Sequence, residues 1–305
     1  MGAVVVVVVR PVAGEFYLGH FARNWRINNH GATLLPSIAR LPHGRVSKSY
    51  PNELLPYPNS GLARSLGISS ESYWRAHTLQ PLQFLTNFSA ESAAVEWAFS
   101  TTRLRDGCGY WKEEVVRYCA ACVEEDKATL GFAYWRREHL VPGVDECFVH
   151  RSPLQILKRE HRATAFIFAP GEECVDLEDT PGGLNEAKSN VVVQRYLALV
   201  QSAIHAITFS PGRFVPFQTQ AYGRPELGPS RDEFWLEDML IKLRGAVPES
   251  WLKRHFPALA ATGSRVNRSR GQCKRVQDLP GTAWLLLNAC MAAHLNVGWG
   301  ACAAY

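Results

Sequence analysis

The sequence offers no stretch long and apolar enough to cross a membrane. Its six consecutive valines, Val4–Val9, fall well short of the roughly 18 apolar residues that a bilayer span requires. No positively charged segment or A-x-A-like cleavage site frames that run, so it reads as an extended lead-in or an artefact of where translation starts, and the cytoplasm is the expected location. Also missing are a Gly-rich phosphate loop of P-loop spacing, a Gly-x-Ser-x-Gly elbow and a defensible Asp-Asp-Glu arrangement, which argues against the corresponding enzymes. There is no strong charge of either sign: 33 basic against 28 acidic residues leave +5, which permits an anionic partner without demanding one. No low-complexity tract suggests extensive disorder, and 47% apolar residues over 305 positions can bury more than one core.

The chain does hold cysteines at telling intervals. Cys119-x-x-Cys122 is followed, 24 residues on, by Cys147-x-x-His150. In a reducing compartment such hooks point to metal more than to disulfides, and two-residue spacers let each pair wrap one side of a single ion. Three thiolates and an imidazole fill a tetrahedral shell and leave no position for an activated water, so the expected cofactor is one structural Zn2+. A zinc deaminase would need a His-x-Glu hook before a Pro-Cys-x-x-Cys pair, and neither is present. The insert carries Phe132, Tyr134 and Trp135, which can form a small β-hairpin core beside the metal. A module of that size cannot bury enough apolar surface to hold itself, so the ion supplies folding free energy.

Upstream, SGLARSLGISSESYWRAHTLQP parses as a helix around Leu62 to Leu66, a tight turn at Gly67, and a second helix capped by Ser69 or Ser70. That is the outline of a helix-turn-helix, whose second helix would offer Ser72, Arg75 and His77 to phosphates or base edges. The plainer alternative is an αα-hairpin that packs Leu62, Leu66, Ile68, Tyr73 and Trp74 into a core.

The passages RYCAAC, GFAYWRREHL and VDECFVHRSPL resemble the zinc-finger core of the TniQ/TnsD family, through Cys119, Cys122, Tyr134, Trp135, Arg136, Cys147, His150 and Leu154. The segments GEFYLGHFAR and LARSLGIS are similar to the same family, so the resemblance covers about residues 10–160. Ala120 and Phe148 stand where the family usually has proline. The resemblance implies a target-selection protein of heteromeric DNA transposons that does no bond chemistry itself. Such proteins recognise target DNA, or dock onto a Cascade-type RNA-guided effector, and recruit an AAA+ ATPase transposition regulator. The alternative is a zinc-stabilised helix-turn-helix transcriptional regulator that binds its operator as a homodimer. Trp135, Arg136 and Arg137 form a candidate docking patch, with the tryptophan buried and at least one arginine outward. The competing view pairs Arg136 with a local acid such as Glu124 or Glu138.

The remainder reads as helical. The acidic stretch APGEECVDLEDTPGG suggests an exposed linker, and VVVQRYLALVQSAIHAI, FWLEDMLIKL and TAWLLLNACMAAHL are amphipathic helices. From Lys253 to Arg275 there are seven Lys/Arg and no acid. Arg265, Arg268, Arg270, Lys274 and Arg275 there could track a phosphate backbone. PESWLKRHFPAL could begin a second helix-turn-helix, and Cys290, His294 and Cys302 could form a weak second metal site. The expected fold is thus mainly α and multi-domain: a helix-turn-helix domain over 1–100, a Cys3His zinc-finger module over 101–165 and a helical domain with a basic loop over 166–305.

Overall fold

The computed structural model describes residues 7–28, 58–79, 82, 116–157, 168–172, 177, 184–209, 229–261 and 281–294. It is mainly helical. The chain divides into two compact units, one made of residues 1–79 and 114–180, the other of 80–113 and 181–305. The expected N-terminal and zinc-finger regions therefore group into one body, where the sequence suggested a boundary near residue 100.

In unit 1, α1 (Tyr17–Asn28) packs beside α2 (Pro58–Ser65), which is followed by α3 (Ser70–His77). Leu62, Ala63 and Tyr73 form the buried heart of this arrangement, with Tyr17, Phe21 and Leu66 against them. The turn between α2 and α3 is built as its sequence suggests. Gly67 takes φ +69°, its N–H bonds Arg64 O at 3.1 Å, and the Ile68 N–H reaches back to Ala63 O at 3.1 Å. This is a Schellman stop, which needs the left-handed conformation that glycine adopts without penalty. Ser69 then caps α3, its Oγ accepting the Ser72 N–H at 3.0 Å.

The metal-hook segment opens with strand β1 (Arg117–Tyr118), continues into α4 (Ala120–Leu130), makes a single 3-10 turn at Arg137–Leu140 and closes with β2 (Gln155–Ile156). β1 and β2 pair antiparallel, Arg117 opposite Ile156 and Tyr118 opposite Gln155. The expected hairpin within the insert is not what forms. α4 and the 3-10 turn occupy its two halves, and the small sheet instead joins the two ends of the hook segment.

The insert's aromatic run serves as a seam. Glu15 and Arg136 form an antiparallel bridge, with Phe16 N–H donating to Trp135 O at 2.7 Å and Arg137 N–H to Gly14 O at 2.8 Å. α1 comes so close here that a Cβ on Gly19 would stand 2.9 Å from Trp135 Cδ1. Trp135 Nε1 donates to Phe168 O at 2.8 Å, and Arg26 meets Glu172 at 3.1 Å. The start of the acidic stretch thus packs on unit 1, although its composition suggested an exposed linker.

Unit 2 contains α5 (Leu184–Ser189), α6 (Val191–Phe209), α7 (Pro229–Ala246), α8 (Glu249–His255), α9 (Pro257–Ala260) and α10 (Gly281–His294). Asn190 caps α6 through Val192 N and Val193 N at 3.0 and 3.1 Å, while its amide donates to Ala246 O at 2.8 Å. Tyr196, Trp251 and Phe256 pack with ring centroids 5.6–5.9 Å apart, within the range favoured by aromatic pairs. The three expected helices are present as α6, α7 and α10. α10 is enclosed along one continuous run from Gly281 to Leu287, so its leucines are apolar all round and not along one face. The segment PESWLKRHFPAL folds as α8 followed at once by the four-residue α9, which ends at Ala261 in extended backbone; the residues that would complete a second helix-turn-helix lie outside the described residues. No described helix is long and apolar enough to cross a membrane.

Candidate metal centre

The first hook sits at the start of α4. Cys119 is the helix's N-cap residue, with φ −101° and ψ 126°, and Cys122 lies in the first turn. That places both sulfurs at the helix's positive end, where unpaired N–H groups favour thiolates. The second hook is a tight knuckle. Cys147 N–H bonds Ser152 O at 2.9 Å, Arg151 N–H bonds Cys147 O at 3.0 Å, and Glu146 bridges Pro153. The chain reverses through Arg151 at φ 54°, a position where a non-glycine residue is uncommon. The reversal brings the His150 N–H to 3.4 Å from Cys147 Sγ.

These two loops converge. All four donor atoms lie within 4.8 Å of one another, with the three cysteines buried and His150 partly exposed. His150 Nδ1 is 3.3 Å from Cys122 Sγ and 3.7 Å from both Cys119 Sγ and Cys147 Sγ, and the Cys122 and Cys147 sulfurs are 3.6 Å apart. Zinc bonds of about 2.3 Å to sulfur and about 2.0 Å to nitrogen give tetrahedral edges of about 3.8 Å for S···S and about 3.5 Å for S···N. Those four separations lie within a few tenths of an ångström of these edges and the remaining sulfur pairs stay within 4.8 Å, so the donor set fits a four-coordinate ion. The hydrogen bond between the two sulfurs pushes the Cys122 thiol up and the Cys147 thiol down. A divalent cation held there would let all three sulfurs be thiolates. His150 uses Nδ1, which leaves Nε2 facing outward, 3.6 Å from Glu125 Oε2. A carboxylate at that side of a ligand histidine orients its ring.

Buried charges brace the site. Arg117, 1% exposed, donates to Val144 O and to Val141 O and lies 3.4 Å from Asp145. That guanidinium holds together the loop that delivers the second hook. Asp126, on α4, takes Arg136 at 2.7 Å, with Glu138 at 3.9 Å from the same arginine. The pairing of Arg136 with a local acid is therefore the arrangement seen, with Asp126 as a partner that the sequence did not single out. Its signal was the i,i+4 spacing from Cys122, which puts Asp126 on the buried side of α4.

The proposed docking patch is corrected by these contacts. Trp135 is 2% exposed and Arg137 is 0% exposed, with Arg137 Nη1 donating to Thr78 O at 3.1 Å. Arg136 is only partly exposed and points its guanidinium over the Tyr134 ring. None of the three presents a freely outward side chain. They knit the metal module to the N-terminal turn and to the end of α3.

His77 is corrected as well. It is buried, and its Nδ1–H donates to Glu15 O at 2.8 Å while its ring stacks 4.8 Å from Tyr73. Burial lowers its pKa to about 4. His20, next to it, gives Nε2–H to Val9 O at 2.7 Å and accepts the Tyr73 hydroxyl at 2.6 Å. By sequence His20 looks like an ordinary helix residue; its spacing to Phe16 and Asn24 on one helix face was the available hint. Ser72 is exposed but engaged with Ser69 in the cap, and Arg75 is a backbone position on α3. Arg265, Arg268, Arg270, Lys274, Arg275 and Cys302 lie outside the described residues. Cys290 is buried, which pushes its thiol up, and no second metal cluster occurs among the described residues.

The order of parts is therefore a glycine-stopped helix pair, a seam through Trp135–Arg137, and a closed Cys3His cluster in one body. Residues 7–154 match the TniQ family model, and this part of the chain belongs to that family. The family is associated with transposition. No curated protein matches the chain.

Proposed function

We propose that the chain is a target-site selection adaptor of a heteromeric DNA transposon, holding one structural zinc ion at Cys119, Cys122, Cys147 and His150. It binds target DNA, or a Cascade-type guide complex, and recruits an AAA+ ATPase transposition regulator. The observation that carries this is the TniQ match across residues 7–154, which spans both the helix pair and the closed cluster. A shell completed by protein donors leaves the ion no open position for catalysis, so the role is one of shape and binding.

DNA contact falls to α3 and to the basic segment. Position 75 follows Ser72 by three residues on α3, opposite the Tyr73 and His77 positions that face the core. Arg265, Arg268, Arg270, Lys274 and Arg275 supply charge without acid between them, which suits phosphates more than bases. Two experiments test this reading together. Pull-down from cells carrying the neighbouring transposition genes should retain the ATPase regulator, and binding to target DNA should fall with salt. Replacing Arg265, Arg268 and Arg270 by alanine should flatten that dependence by up to about 0.9 log unit per log salt for each phosphate no longer neutralised. A chain that footprints its own promoter and retains no ATPase is instead a zinc-stabilised transcriptional regulator.

A further inference from the structure

Ser152 touches both hooks. Its carbonyl accepts the N–H of Cys147, in the second hook, at 2.9 Å, and its hydroxyl oxygen lies 3.3 Å from the sulfur of Cys119, in the first. The side chain is half-buried, and the backbone that presents it is held on either side. Arg151 N–H bonds Cys147 O at 3.0 Å, Leu154 N–H bonds Asp145 O at 2.9 Å, and Pro153 bridges Glu146. The hydroxyl thus reaches a sulfur 33 positions away from a fixed stem.

The direction of that bond follows from the chemistry of the donor set. A hydroxyl and a thiol can each donate, but a sulfur that has given up its proton to a cation can only accept. With an ion held by the cluster, the Ser152 O–H is therefore the donor and Cys119 Sγ the acceptor. The sulfur has no competing partner within its own helix: Cys119 occupies the N-cap of α4 yet makes no side-chain capping bond there.

Three thiolates around a divalent ion leave an excess negative charge in a largely buried shell, and donors to the bound sulfurs draw off part of it. The three sulfurs are not served alike. Cys147 Sγ has the His150 backbone N–H at 3.4 Å, and Cys119 Sγ has the Ser152 hydroxyl. Cys122 Sγ meets the other ligands, Cys147 Sγ at 3.6 Å and His150 Nδ1 at 3.3 Å. Of the two outer donors, the hydroxyl is the one that a side-chain substitution removes.

We propose that Ser152 is a positioning residue for the metal centre, its hydroxyl donating to Cys119 Sγ in the loaded site while its carbonyl holds the second hook. This rests on the reading of the cluster as a zinc site. The donor fixes the first hook's sulfur in the shell, lowers its nucleophilicity and slows loss of the ion to a competing chelator.

The experiment uses the full-length chain loaded with 113Cd in place of zinc. Ser152→Ala keeps the carbonyl and deletes only the hydroxyl. It should weaken metal affinity about 10-fold in chelator competition and move the 113Cd resonance, while Ser152→Thr, which keeps a hydroxyl, should return both toward the unaltered protein. One cadmium per chain with affinity and resonance unchanged in Ser152→Ala overturns the assignment and leaves the metal site intact. No bound cadmium in the unaltered chain overturns the site itself. Should the alanine variant fail to fold, the unaltered protein decides: proton–cadmium correlations through sulfur are expected from the Ser152 hydroxyl and from the His150 amide. The amide correlation without the hydroxyl one overturns the proposal.

Discussion

The two units bury different kinds of residue. Unit 1 encloses Glu15, His20, His77, Arg117, Asp126, Arg137, His139 and Asp145, all with little exposed surface. Unit 2 is filled by Tyr196, Leu243, Trp251, Leu252, Phe256 and the leucines of α10, with His255 and Thr282 as its buried polar residues among those described. Apolar cores gain from each methylene removed from water and tolerate reshaping, whereas buried charges help only while each partner is in place. Unit 1 is therefore the body whose structure depends on a few specific bonds and an ion. Unit 2 is held by area.

The widest separation of the two should come from the metal. Cys122→Ser removes a donor whose ion contributes about 10 kcal/mol or more to comparable small modules. Hydrogen exchange should show protection falling away across residues 116–157 while residues 184–294 stay protected. A simultaneous fall in both would mean that the units do not fold as distinct bodies.

Next in size is Arg137→Glu. The sequence suggested an outward arginine that could be reversed at little cost, but the side chain is fully enclosed and bound to Thr78 O. Placing a carboxylate there, with no cation to meet it, should destabilise unit 1 by about 3–5 kcal/mol. Thermal unfolding followed by Trp135 fluorescence would show it, and an unchanged midpoint would return Arg137 to the surface.

Acid should act on unit 1 before unit 2. His20 and His77 are both held below the ordinary histidine value, by burial in the first place, with His77 at about 4. Their neutral forms are the folded forms, so stability is complete above pH 6.5. As pH falls from 6.5 toward 4, the unfolded chain takes up protons that the fold refuses, and stability drops by about 3 kcal/mol for His77 alone. Denaturant midpoints measured across that range should fall, and His77→Asn, which can still donate to Glu15 O, should flatten the slope. A flat profile in the unaltered protein would mean that these rings are charged or wet.

The smallest expected effect is Gly19→Ala. Its new Cβ would come 2.9 Å from Trp135 Cδ1, so the helix or the indole must shift, at about 1–3 kcal/mol. Gly245→Ala in α7 meets nothing within 4 Å and serves as the matched substitution in unit 2. It should be neutral or slightly stabilising, through better helix propensity.

What could be read from the sequence follows the range of each interaction. The hooks, the Gly67 stop and the Ser69 cap are local: a few adjacent residues carry the whole reason, and the structure places them as their spacing suggests. The three helices of unit 2 were legible from periodicity. The seam was not, because Glu15 meeting Arg136 and His77 meeting Glu15 are contacts across 121 and 62 positions that no local pattern encodes. The same cause explains the misreading of Trp135–Arg137. Arginines beside an aromatic suggest a surface patch, and only the fold reveals that the N-terminal turn lies over them. The insert's aromatics favoured a hairpin for a similar reason, since β-propensity says nothing about which strand supplies the partner.

Metal stoichiometry tests the central claim most directly. Elemental analysis of the purified full-length chain, coupled to hydrogen exchange before and after chelation, should find one zinc per chain and a collapse of protection over residues 116–157 when it is withdrawn. A chain that is fully protected over those residues while containing no metal would contradict it.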